Sequence, residues 1–272
     1  MMLERYATYL KLVQQTTVFV LLALCVWGSL LSCSKEEENP PSKAGYHLEI
    51  PYGSVRNYSG GDGQWLNVYQ ANASNLTPLY IWAHGNGHTY MDAHEKYEVF
   101  VETLLANGIS VISWESIKQM DESNYGAIQD DADLMFSWVK ENAVTYNFDL
   151  TKVIIGGHSR GSIASWRIAQ GGEAGVIGIY YGDAAGNLDD VNEAMGNVIS
   201  LNSPPIRLAY NQNKMNNDGQ HDPNEGQKLI DQYEGLGFAE EQRRILLDQG
   251  YPSMTTLGFY QDLLPFCQEL LK

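Results

Sequence analysis

The stretch Val153-Ile154-Ile155-Gly156-Gly157-His158-Ser159-Arg160-Gly161 decides the reading of this chain. Three β-branched residues in a row favour a buried strand, and residues 162–170 go on with a helical pattern. Between the two lies a G-x-S-x-G motif, with Gly157 and Gly161 on either side of Ser159. A strand-to-helix turn this tight exposes the central hydroxyl, and flanking glycines relieve the crowding that side chains would cause. The helix that starts there leaves its first backbone amides without intrahelical partners. The amide of Arg160 is thereby offered to an oxygen that gains negative charge. Ser159 is the candidate nucleophile.

Working outward, short β-rich apolar runs alternate with helical patterns. Residues 79–83, 109–113, 176–180 and 206–209 read as buried strands, with 245–247 as a last one. Residues 46–52 and 65–69 form an opening pair, separated by Ser59-Gly60-Gly61-Asp62-Gly63. Tyr97, Phe100, Val101, Leu104 and Leu105 recur at helical spacing before Gly108, and Ile128, Ala132, Met135 and Val139 form a second stripe. Phe259, Leu263, Phe266 and Leu270 mark a closing helix in which Pro265 predicts a kink. The fold class is therefore α/β: a mostly parallel twisted sheet of about eight strands, with helices on both faces, in one domain over 46–272.

Composition narrows the function. The chain has 272 residues, 44% of them hydrophobic, which is too apolar for a disordered acidic tail. Its 17 Lys and Arg against 33 Asp and Glu give a net charge of -16, which repels a phosphate backbone and excludes nucleic acid as a partner. The longest apolar run, 18–31, is broken by Gly28 and Ser29 and falls short of the roughly 20 residues that span a bilayer, so a polytopic membrane protein is excluded.

That run follows Arg5 and Lys11 and ends in Leu30-Leu31-Ser32-Cys33, the order of charge, apolar stretch and small residue that marks a secretory signal. The tetrapeptide resembles the bacterial lipobox. The resemblance implies cleavage before Cys33, acylation of its thiol, and a lipid-anchored place in the outer membrane or on the cell surface. Ser34-Lys35-Glu36-Glu37-Glu38-Asn39-Pro40-Pro41 reads as a tether. The expected division is thus 1–32 signal, 33–45 tether and 46–272 folded domain, with contact to the membrane through the N-terminal lipid alone. Of the three cysteines, Cys25 falls in the signal and Cys33 would be lipidated, which leaves Cys267 with no partner for a disulfide.

A second motif, His84-Gly85-Asn86-Gly87-His88, ends the predicted strand 79–83, where glycine-rich backbone can present amides opposite the Ser159 turn. Together the two motifs resemble the α/β-hydrolase fold, in its lipase and carboxylesterase-like members. The resemblance runs over almost the whole domain, through "LNVY", "KVIIGGHSRG" and "PPIRLAY". It implies a serine hydrolase that cleaves small-molecule or glycan esters without a cofactor. Ser159 would be the nucleophile, and the backbone amides of Arg160 and of Gly85 or Asn86 the oxyanion hole. A carboxylate after strand 206–209 would orient the base: Asp218 first, with Asp222 close by and Asp183, after strand 176–180, as the place some lipases use.

The base departs from the family pattern. The family's histidine follows the last strand, here the segment Asp248-Gln249-Gly250-Tyr251-Pro252-Ser253, yet no histidine occurs after His221. Among His47, His84, His88, His94, His158 and His221, the polar loop position of His221 makes it the candidate, with His88 second. No metal site is expected, because oxygen-rich loops without a second spaced ligand set do not make one. The missing terminal histidine also supports a rival: a catalytically inactive hydrolase-like lipoprotein that binds a glycan or lipid.

Overall fold

The computed structural model describes residues 45–55, 63–86, 98–117, 123–170, 175–185, 198–211, 221–248 and 261–272. Cys33, the tether, His88, His94, Phe259 and Asp218 lie outside them.

Eight strands form one sheet: β1 (Tyr46–Pro51), β2 (Trp65–Tyr69), β3 (Thr77–Ala83), β4 (Ser110–Trp114), β5 (Phe148–His158), β6 (Val176–Gly182), β7 (Ile206–Asn211) and β8 (Arg243–Asp248). Their spatial order is β1-β2-β4-β3-β5-β6-β7-β8. β2 runs antiparallel to both of its neighbours, β1 and β4. Every other pairing is parallel. The chain leaves β3 for β4 on one side and returns to β5 on the other. Such a reversal opens a crevice beyond the carboxyl ends of the two strands.

The described helices are α1 (Glu98–Ala106), α2 (Tyr125–Asn142), α3 (Arg160–Gln170), α4 (Pro223–Gly235) and α5 (Leu263–Leu270). Strand alternation sends side chains to two cores. Leu79, Ile81 and Ala83 of β3 join a cluster with Ile128, Ala132 and Met135 of α2, Ile163 and Trp166 of α3, and Leu229, Ile230 and Tyr233 of α4. Tyr80 and Trp82 of the same strand face Phe100, Val101 and Leu104 of α1 and Leu263, Phe266 and Cys267 of α5. The sheet is therefore covered on both faces, as its near-continuous apolar strands demand.

Pro265 does not act as a kink. α5 starts at Leu263, which puts Pro265 in the first turn, where an amide has no intrahelical acceptor to lose. Arg207 of β7 fastens this helix: its buried guanidinium donates to Asp262 at 2.6 Å and Glu269 at 3.0 Å and lies 4.6 Å from the centre of the Phe266 ring. Among the described residues, no helix is long and apolar enough to cross a membrane.

Candidate active site

Ser159 caps the end of β5 and precedes α3, in a left-handed conformation with φ 49°. A side chain at positive φ costs about 1–3 kcal/mol, so the surroundings must hold it. Its amide donates to Gly182 O at 3.1 Å, and its carbonyl accepts from Ser162 N at 2.9 Å and Ser162 Oγ at 2.6 Å. Ser162 Oγ in turn accepts from Ala185 N at 3.0 Å, which ties the elbow to the segment after β6.

Two glycines make the turn sterically possible. A Cβ on Gly161 would run into the carbonyl oxygen of Ala83, so α3 can start hard against the end of β3 only because that atom is missing. A Cβ on Gly85 would lie 2.6 Å from His158 Nδ1 and 3.4 Å from Ser159 Cβ. The His-Gly turn and the elbow are therefore in contact, as parallel pairing of Ala83 with Gly157 requires. The first helical residue is Arg160, whose amide belongs to the unpaired set of an α-helix N-terminus.

Across this turn stands His221, with Nε2 at 2.7 Å from Ser159 Oγ. That is hydrogen-bond distance for a hydroxyl donating to a neutral imidazole. The His221 ring also stacks on His158, with centres 6.1 Å apart and planes 20° from parallel. His221 precedes α4, and that helix explains its neighbour: Asp222 is the N-cap, accepting from Asn224 N at 2.9 Å. Asp222 is thus committed to a helix end. Asp183 follows Gly182 at the end of β6, is buried, and has φ 42°. Because His158 pairs with Gly182, Asp183 and Ser159 stand level on adjacent strands.

Behind the elbow is a buried polar cluster that sequence reasoning missed. Glu115, directly after β4, has its side chain fully buried and meets His84 Nε2 at 2.8 Å. The Arg160 side chain turns inward, placing Nη2 at 3.0 Å from the same nitrogen. Burial pulls the Arg160 guanidinium down to about 10, against the opposing pull of Glu115, Tyr52 and Asp131. Asp131 accepts from Gln64 Nε2 at 2.7 Å and Ser116 Oγ at 2.5 Å. A signal was present: Asp131 sits on the apolar stripe of α2, three residues after Ile128 and one before Ala132. An acid on a buried stripe needs polar partners inside the fold. Among the described residues no group of His, Cys, Asp and Glu is arranged to hold a metal ion.

Residues 66–174, which contain the His-Gly turn and the elbow, match the family model described as BD-FAE. Comparison with curated proteins yields no match. Among solved structures the chain is similar to esterase B from Lactobacillus Rhamnosis (HN001), at 16% identity over 94% of this chain and 96% of that one, with a TM-score of 0.60. It is similar to a truncated carbohydrate esterase from gut microbiota, at 16% identity over 83% of this chain and 95% of that one, TM-score 0.62. A dienelactone hydrolase from Anabaena variabilis shares 16% identity over 83% of this chain and all of that one (100%), TM-score 0.56. At such identities the likeness is one of fold.

Proposed function

We propose that the chain is a carboxylesterase-like α/β-hydrolase, a serine esterase acting through an acyl-enzyme, a reading supported by the match of residues 66–174 to BD-FAE and by the likeness in fold to esterases. The observation that carries this reading is the 2.7 Å approach of His221 Nε2 to Ser159 Oγ at a left-handed elbow. His221 takes the hydroxyl proton as Ser159 Oγ bonds to the ester carbonyl carbon. The resulting oxyanion is received by the Arg160 amide and by an amide of the Gly85-Asn86 turn. His221 then returns the proton to the departing alkoxide, and water, activated by the same imidazole, frees the acid and Ser159. Asp183 is the carboxylate that orients His221 in this reading, supported by its burial level with Ser159.

The substrate is an acyl ester carried on a glycan, a reading supported by the likeness to a carbohydrate esterase. Lipid on Cys33 would hold the domain at the outer membrane or cell surface, where polymeric glycans are met; the Leu30-Leu31-Ser32-Cys33 order supports this. The binding-protein rival was grounded in the lack of a histidine after the last strand, and His221 supplies an imidazole from another loop. A fluorophosphonate probe followed by peptide mapping tests the reading. The expected adduct is on Ser159, with ester turnover abolished in Ser159→Ala; an unlabelled wild type with no turnover on acetyl or feruloyl esters defeats it.

A further inference from the structure

His158 is the last residue of β5, next to the candidate nucleophile, and it is buried. Its backbone pairs with Gly182 of β6, so the ring stands on the sheet itself rather than on a loop. The ring lies along that of His221, with centres 6.1 Å apart and planes 20° from parallel, an offset arrangement that π systems prefer. It also meets the His-Gly turn. A Cβ on Gly85 would come within 2.6 Å of His158 Nδ1 and 3.1 Å of its Cε1, so the Gly85 backbone backs that edge of the imidazole. One rigid ring therefore touches both the imidazole beside Ser159 and the turn that faces the elbow.

A hydrogen bond and a ring contact constrain different things. The 2.7 Å approach to Ser159 Oγ fixes where His221 Nε2 sits, but one bond leaves the ring free to turn about the N···O line. The terminal torsion of a histidine side chain is broad, so it does not set the plane by itself. His221 precedes α4 and belongs to no strand, so the sheet does not hold it directly. A flat group stacked on the ring opposes the turn, because tipping the plane gives up contacts on one side and crowds atoms on the other. The plane matters because His221 takes the proton from Oγ and then returns it to the departing alkoxide, two transfers that tolerate little misalignment. We infer that His158 is a positioning residue that fixes the plane of the His221 imidazole and its spacing from the oxyanion turn. This rests on the esterase reading. The ring acts by shape: β5 supports it, Gly85 backs one edge, and its face steadies His221.

Removing the ring and keeping it should differ in outcome. His158→Ala should lose about tenfold or more in kcat with KM within about twofold, the mark of misplaced chemistry rather than weakened binding. His158→Phe keeps a flat ring, drops both nitrogens, and should retain more turnover than His158→Ala. In a His221→Ala background, His158→Ala should cost less than about threefold, because a ring that works through His221 then has nothing to place. A merely structural loss would carry over in full. Nuclear magnetic resonance of the full chain, with its histidines labelled, gives a readout free of turnover: the ring signals of His221 should shift in His158→Ala as the neighbouring ring current disappears. Equal losses in folded His158→Phe and His158→Ala overturn the proposal, as does full additivity in the double variant or an unmoved His221 signal. If His158→Phe does not fold, the double variant and the spectrum decide. An inert wild type whose His221 signals still shift overturns the esterase reading alone.

Discussion

Ser159 Oγ and His221 Nε2 stand 2.7 Å apart although 62 residues separate them in the chain. The elbow at the end of β5 supplies one partner, and the residue just before α4 supplies the other. The imidazole thus approaches the Ser159 hydroxyl from the β7 side of the sheet rather than from beyond β8. Removal of a serine hydrolase base leaves binding and the oxyanion hole intact and costs several orders of magnitude in rate. His221→Ala is expected to lower kcat by at least about a thousandfold, with the folded state retained by circular dichroism. Turnover within tenfold of wild type would assign the proton transfer to another group.

Asp183 and Ser159 directly follow the paired ends of neighbouring strands, and both are left-handed. If Asp183 orients the imidazole, Asp183→Asn should cost roughly 10⁴ in kcat, because the amide favours the wrong tautomer of His221. Asp218→Asn should cost less than about tenfold. Steady-state kinetics on the two variants decides, and the reverse ranking moves the acid to Asp218.

Gly161 is placed so that any Cβ would strike the Ala83 carbonyl. Backbone cannot swing aside as a side-chain tip can, so Gly161→Ala should push α3 away from β3. The expected cost is about 1–3 kcal/mol of stability, read as a lower urea midpoint, together with a loss of phosphonate labelling at Ser159. A variant as stable and reactive as wild type would refute this account of the elbow.

Burial pushes the Cys267 thiol up from 9.0 to about 12, with the Arg207 charge opposing. The native state therefore holds this proton more tightly than the unfolded chain does. Below about pH 9 both states keep it and nothing changes; as pH climbs from 9 toward 12 the unfolded chain ionises first and native stability falls. In a chain carrying Cys25→Ser and Cys33→Ser, a thiol reagent at about pH 8 should react with Cys267 only once denaturant is added. Rapid reaction without denaturant would show that α5 opens readily from the sheet.

Cys33 is expected to carry the lipid. Metabolic labelling with an alkyne fatty acid should mark the wild type in cells and leave Cys33→Ser unmarked. A label that persists on the variant would remove the anchor.

The sequence by itself determined the fold class and the candidate nucleophile, because both are written in local patterns. Continuous β-branched runs such as 153–155 suit strands covered on both faces, helical stripes lie between them, and the Gly157-His158-Ser159-Arg160-Gly161 turn follows from the steric needs of consecutive residues. The kink at Pro265 failed because it depended on where the helix starts, and α5 starts at Leu263, which leaves the proline in the first turn. A polar position put His221 first among six histidines, but only tertiary structure showed that its imidazole lies against Ser159; parallel pairing of β5, β6 and β7 sets the two ends side by side. The same holds for Glu115, Asp131 and the Arg160 side chain, which lie 16 or more residues from one another or in different elements and meet only where β4, α2 and α3 converge. Local chemistry can be read along the chain, but a proton's path between side chains depends on distances that only the folded sheet sets.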